Sequence, residues 1–165
     1  GDDVAGADPN VNAEWIRSWG GLGSEQGKLN CPHGLWVDTR GDKPVLLVAD
    51  RANVRIQIFT LDGKSLGFIT KELRYPCCFY QFRDELYIPD LYGRVTIFDK
   101  DNKLITHLGD NPGVWKKTGW PNVPHEEREF GKFISPHSLC VDSRRDLYVV
   151  EWISDGRLTK LKRIP

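Results

Sequence analysis

The chain has 165 residues, of which 39% are hydrophobic and 28% charged, so it belongs with folded globular chains rather than disordered ones. Twenty-three Lys and Arg balance twenty-three Asp and Glu, leaving no electrostatic footprint for nucleic acid or an acidic membrane surface. No apolar run approaches the roughly 20 residues that span a bilayer, and four cysteines are too few for a disulfide-dense scaffold.

In chain order, residues 1–12 read as an N-terminal tail, and the rest (13–165) as one domain. The sequence contains no methionine, which predicts a processed chain or a portion of a longer one; Gly1-Asp2-Asp3 shows no leader pattern. Residues 13–20 read as one strand, and Gly20 to Gly23 as a turn. Three similar units follow. The first, about 32–70, runs from Pro32-His33-Gly34-Leu35-Trp36-Val37-Asp38 through Val48-Ala49-Asp50-Arg51 to Arg55-Ile56-Gln57-Ile58-Phe59. The second, about 76–109, runs from Pro76-Cys77-Cys78-Phe79 through Pro89-Asp90-Leu91-Tyr92 to Arg94-Val95-Thr96-Ile97-Phe98. An insertion over 110–135, rich in Gly, Pro and Trp, precedes the third. That unit, about 136–164, runs from Pro136-His137-Ser138-Leu139-Cys140-Val141-Asp142 through Val149-Val150-Glu151-Trp152 to Arg157-Leu158-Thr159-Lys160-Leu161.

Short runs rich in Val, Ile, Leu, Tyr and Phe, separated by Asp, Asn and Gly turns, predict strands throughout. Four short strands per unit of 40–50 residues is the pattern of a β-propeller blade. The expected fold is all-β: three blades, half of a six-bladed ring. Strand 13–20 is expected to complete the last blade in a staggered closure. Because propellers close with about four to eight blades, a partner is expected. It is either a second copy in a homodimer or a missing N-terminal half.

The motifs PHGLWVD, LLVADRANVRIQIF, Asp90-Leu91-Tyr92 and FISPHSLCVD resemble the NHL-repeat family of six-bladed propellers. Within it they look closest to secreted bacterial NHL-repeat proteins and to the peptidyl-hydroxyglycine amidating lyases. The resemblance covers nearly the whole chain from Trp15 onward and implies a secreted or periplasmic protein. The lyase resemblance implies a zinc ion held by histidines at Pro-His strand starts, here His33 and His137. It also implies Arg51 as a catalytic arginine and Tyr92 as a catalytic tyrosine. Cys77 stands where blade two lacks a histidine, and Glu151-Trp152 replaces Asp-Arg in the third blade. With two of three histidines on this chain, a third ligand is expected from elsewhere.

With the strands of each blade lettered a to d from the innermost outward, blade topology brings the starts of strand a, the ends of strand b and the insertion to one face. His33, Cys77 and His137 should therefore ring the channel mouth, and this donor set suits a borderline-soft metal such as zinc. The alternative for the histidines is a hydrogen bond to neighbouring backbone. Asp50, Asp90, Glu151 and Trp152 are candidate ligand-binding residues at the strand b ends; the alternative for the aspartates is a turn-capping role. Arg55, Arg94 and Arg157 recur in every blade and read as structural. Trp115, Trp120, His125 and Phe130 of the insertion are expected as a rim over the mouth. Cys31 and Cys140 are expected as small buried packers.

Overall fold

The computed structural model describes residues 14–164; the expected tail 1–12, together with Ala13 and Pro165, lies outside the described residues. The strands are β1 (Pro32–Asp38), β2 (Val45–Asp50), β3 (Arg55–Phe59), β4 (Ser65–Ile69), β5 (Tyr80–Phe82), β6 (Glu85–Asp90), β7 (Arg94–Phe98), β8 (Leu104–Leu108), β9 (Pro136–Val141), β10 (Leu147–Glu151) and β11 (Leu158–Leu161). They form three antiparallel meanders, β1-β2-β3-β4, β5-β6-β7-β8 and β9-β10-β11. The chain is all-β, and each meander is a propeller blade.

Period-two alternation explains how the blades stack. On β6, Leu86 and Ile88 turn toward the first sheet and pack with Leu47, Ala49 and Ile56. Tyr87, between them, turns the other way and packs with Leu139, Leu147 and Val149 of the third sheet. The middle sheet is thus apolar on both faces, and every residue of β7 is buried. The outer sheets are covered on one face only. Leu35 and Val37 remain exposed on the far side of the first sheet, and Val150 and Leu158 on the third.

Each innermost strand carries an irregularity just after its proline. Pro32 pairs with Asp50, whereas the next matched pair is Leu35 with Val48, one residue out of step. Pro136 pairs with Glu151, and Ser138 already with Val150. In the second sheet the same one-residue shift is spread over a longer stretch: Pro76 bridges Asp90, and regular pairing resumes only at Tyr80 with Tyr87. An extra residue in one strand of an antiparallel pair is a β-bulge, which bends the strand and re-aims the extra side chain. His33, Cys77 and His137 occupy these bulges.

Within the single chain residues 14–19 carry no strand pairing, and Trp15 and Ile16 are exposed. A strand needs an edge to pair with, and the expected one, the outer edge of β11, lies on the far side of the stack. Instead Trp19 packs edge-on against Phe59 of the first sheet, ring centroids 6.4 Å apart. The insertion is clasped at its base by Asn111 N–H to Gly93 O and Phe133 N–H to Gly109 O, both 2.9 Å. Val114, Val123, Ile134 and Ile153 form its own small core.

Candidate metal and ligand site at the strand starts

The strand b ends share one construction. Asp50 is fully buried and accepts from Asn30 N–H at 2.6 Å, Asn53 Nδ2 at 2.8 Å and Arg55 Nε at 2.6 Å. Asp90 accepts from Arg74 N–H at 2.6 Å, from Tyr75 N–H, and from Arg94 Nε at 3.4 Å. Glu151 accepts from Ile134 N–H at 2.7 Å, Ser135 N–H at 3.1 Å and Arg157 Nε. In every blade a carboxylate ties the incoming loop to an arginine at the start of β3 or β7 or just ahead of β11. This is the turn-capping arrangement given as the alternative for the aspartates, and Glu151 shares it: the oxygens of Asp50, Asp90 and Glu151 are engaged by protein donors. It also gives Arg55, Arg94 and Arg157 their structural role. Glu151 reaches the same donors as the aspartates, so its extra methylene does not break the pattern.

The residue after each carboxylate is Arg51, Leu91 or Trp152, and all three line one cavity of about 460 Å³. His33, His137, Tyr75, Tyr92 and Trp120 complete its wall. The structure therefore brings together Arg51, Tyr92, His33, His137 and Trp152 from three blades. Tyr75 and Leu91 were missed by sequence reasoning, although Leu91 was legible by aligning it with Arg51 and Trp152.

His33 and His137 meet within this one chain, ring centroids 4.8 Å apart and nearly perpendicular. One ligand atom each from His33, Cys77 and His137 lies within 4.8 Å of the others. Cys77 thus places a third candidate donor beside the two histidines on the same chain. His33 Nδ1 sits 2.9 Å from Cys77 O. The backbone bond read as the alternative does form; because the carbonyl only accepts, Nδ1 carries the proton and Nε2 keeps its lone pair. Gly34 permits this approach: a Cβ there would lie 2.3 Å from Cys77 O and 2.6 Å from Cys78 Cα.

Electrostatics separates the donors. Burial pushes the Cys77 thiol up to about 12, against the pull of the Arg51 guanidinium. Burial pushes the His137 imidazole down, aided by His33 and Arg51, so it is neutral at neutral pH. Burial, with Tyr75 beside it, raises the Tyr92 phenol and keeps its proton in place, although Arg51 works the other way. Arg51 Nη2 lies 3.2 Å from Cys31 Sγ, and its guanidinium carbon 5.1 Å from the Tyr75 ring centroid.

Tyr92 stacks against Tyr75, centroids 4.5 Å apart, and against Trp115 at 4.8 Å. The rim expectation is met in part: Trp120 joins the wall and Trp115 backs it by stacking on Tyr92, whereas His125 and Phe130 are exposed outside it. Cys31 and Cys140 are exposed, not buried as expected. Cys31 sits in a left-handed turn (φ 51°) ahead of β1, and Cys140 alternates outward on β9 between Leu139 and Val141.

No family model matches the chain. It is 41% identical over 70 residues to protein lin-41 of Caenorhabditis elegans, a match covering 42% of this chain and 5% of that protein. It is 43% identical over 49 residues to the E3 ubiquitin-protein ligase TRIM32 of Homo sapiens, covering 30% of this chain and 7% of that one. Among solved structures it is similar to a catalytically inactive virginiamycin B lyase from Staphylococcus aureus with quinupristin. That match has 14% identity and a TM-score of 0.48, covering 81% of this chain and 42% of the other. A streptogramin B lyase matches at 10% identity and a TM-score of 0.45, covering 81% of this chain and 41% of its own. The chain thus spans a small part of the curated relatives and under half of these structures, and the propeller assignment rests on the three stacked meanders themselves.

Proposed function

We propose that the chain is a segment of an NHL-type propeller ring whose channel mouth holds a divalent metal, zinc by its donor set, and binds a small ligand beside it. The observation that carries this reading is the convergence of His33, Cys77 and His137, with both histidines in the wall of one cavity and the buried thiol behind them. A tetrahedral zinc site with bonds of 2.0–2.3 Å sets its ligand atoms about 3.5 Å apart, so a closure of about 1 Å brings the three into range. The borderline-soft mixture of two imidazoles and a thiol favours zinc over magnesium or calcium. Zinc bound there supplies Lewis acidity. The chain's own residues do the rest: Cys77 O orients the His33 ring, Arg51 presents a cation to an anionic ligand, and Tyr92 holds a proton. The ring is completed by further blades, from a second copy or from more of the same polypeptide.

A second reading, a zinc-dependent lyase of the peptidyl-hydroxyglycine amidating type, is favoured by one observation. Arg51 and Tyr92, the positions that resemblance makes catalytic, line the same cavity as His33 and His137. In that reading Arg51 holds the substrate's negative charge and Tyr92 transfers a proton.

Elemental analysis of protein prepared without chelator tests the metal. Near-stoichiometric zinc is expected, and its loss in the His33→Ala, His137→Ala double variant. Equal and negligible metal in both returns the histidines to a structural role and leaves a protein-interaction scaffold ahead. Turnover of a hydroxyglycine peptide, lost in Tyr92→Phe, separates the lyase from a binding ring.

A further inference from the structure

The aromatic rings around the cavity do not all serve one purpose. Tyr75, Tyr92 and Trp115 are committed to each other as a parallel stack, with Arg51 against Tyr75 and Arg74 against Trp115 at 5.3 Å. Trp120 and Trp152 stand differently. Their rings meet at 72° with centroids 6.0 Å apart, and both line the cavity. Trp120 is anchored: its indole N–H donates to Ile134 O at 3.1 Å, and its ring packs on the core of the insertion. The Trp152 backbone N–H donates to Ser135 O at 2.8 Å, which fixes where the side chain leaves the strand.

A tryptophan that serves packing is buried, yet Trp152 is 54% exposed at the cavity wall. The equivalent positions carry Arg51 and Leu91, so the blade construction itself does not require a large ring there. Two rings fixed near a right angle make a corner. A third ring entering it meets face and edge together, the arrangements that aromatic quadrupoles favour. A second observation points to the other end of a ligand. Arg51 lines the same cavity with its Nη2 on the Cys31 thiol and no carboxylate paired to it among the described residues, and a guanidinium normally meets an anionic acceptor. The cavity, at about 460 Å³, is of a size for a small organic molecule.

Building on the reading of this cavity as a ligand site, we propose that Trp120 and Trp152 form an aryl subsite, so that the site takes small organic anions bearing a flat aromatic ring. The anion meets Arg51 and the ring enters the Trp120–Trp152 corner. Trp152 is then a specificity-determining residue, because it alone of the three equivalent side chains offers a free ring.

Titration of the full chain with phenylacetate, acetate and benzyl alcohol, followed by calorimetry and tryptophan fluorescence, tests the assignment. Phenylacetate is expected to bind about tenfold or more tightly than either fragment, a ratio in keeping with an aromatic contact added to ring burial. Trp152→Ala should reduce the advantage over acetate to less than about threefold without changing bound zinc, and Trp152→Phe should restore part of it. Phenylacetate binding no tighter than acetate overturns the subsite, as does an unchanged ratio in Trp152→Ala. Zinc measured on the same samples keeps the two readings apart. Aryl selectivity in metal-free protein supports the subsite and counts against the metal, whereas bound metal without selectivity does the reverse.

Discussion

At the scale of single residues, the carboxylate at each strand b end is the most consequential side chain outside the cavity. Asp50 is fully buried, and it neutralises Arg55 while satisfying an otherwise orphaned N–H of the incoming loop. Removing one partner of a buried pair leaves a charge without compensation, at a cost of about 3–5 kcal/mol. Asp50→Ala should therefore lose a large part of a typical domain's stability, read as a fall in the urea midpoint at unchanged slope. A loss under about 1 kcal/mol would mean that water replaces the carboxylate. Gly34 makes a different kind of contribution, since it allows the first strand to lie against the backbone of Cys77 and Cys78. Gly34→Ala should push His33 away from Cys77 and reduce bound zinc, with the β-sheet circular dichroism signal retained.

At the scale of elements, polar ties join blades whose apolar faces already stack. Arg40 of the first sheet pairs with Asp38 and donates to Asp99 O at 2.6 Å and Asn102 Oδ1 at 2.8 Å in the second. Glu85 of the second sheet pairs with Arg145 of the third unit and with Arg163. Burial works to raise the Glu85 carboxyl, but the hydrogen bonds from Arg145 and Tyr87 and the nearby arginine charges outweigh it and hold it below the usual range. The folded pKa thus lies under the unfolded one. The tie contributes fully above the unfolded value of about 4.3 and is lost as pH falls through the folded value. The stability gap between wild type and Glu85→Gln should be present at pH 7 and should shrink as the pH falls below the unfolded value of about 4.3. Denaturation at pH 7 and in acid measures it, and a gap that does not change with pH would remove Glu85 from acid sensitivity.

At the scale of the whole molecule, the third sheet has three strands where the first two have four, so the outer edge of β11 is unpaired among the described residues. Beside it lies an apolar groove of about 390 Å³ walled by Ile105, Leu108, Leu147 and Leu161. An unpaired edge next to apolar surface invites another strand. Completion by a second copy predicts a two-fold dimer in which residues 13–20 of each chain pair with β11 of the other, burying more than about 2,000 Å². Light scattering should then give twice the chain mass, and a stable monomer at micromolar concentration would exclude that form of closure.

The sequence by itself determined the blades, because alternation and turn residues are local signals that repeat three times. It also determined which positions recur at the mouth: the residue after each proline and the residue after each acidic strand end. It could not assign the acidic residues. Asp50, Asp90 and Glu151 look like site carboxylates until the folded loops bring backbone N–H groups and an arginine at or just ahead of strand c onto each one. Nor could it show that a bulge turns His33, Cys77 and His137 toward a common point, since bulges are defined by the register of two strands and not by either alone. The stack of Tyr75, Tyr92 and Trp115 joins residues from a loop, a strand end and the insertion, a meeting that only long-range packing produces. Residues 14–19 show the same limit from the other side. Their strand-like pattern is a property of the sequence, but a strand forms only where the tertiary structure offers an edge to receive its hydrogen bonds.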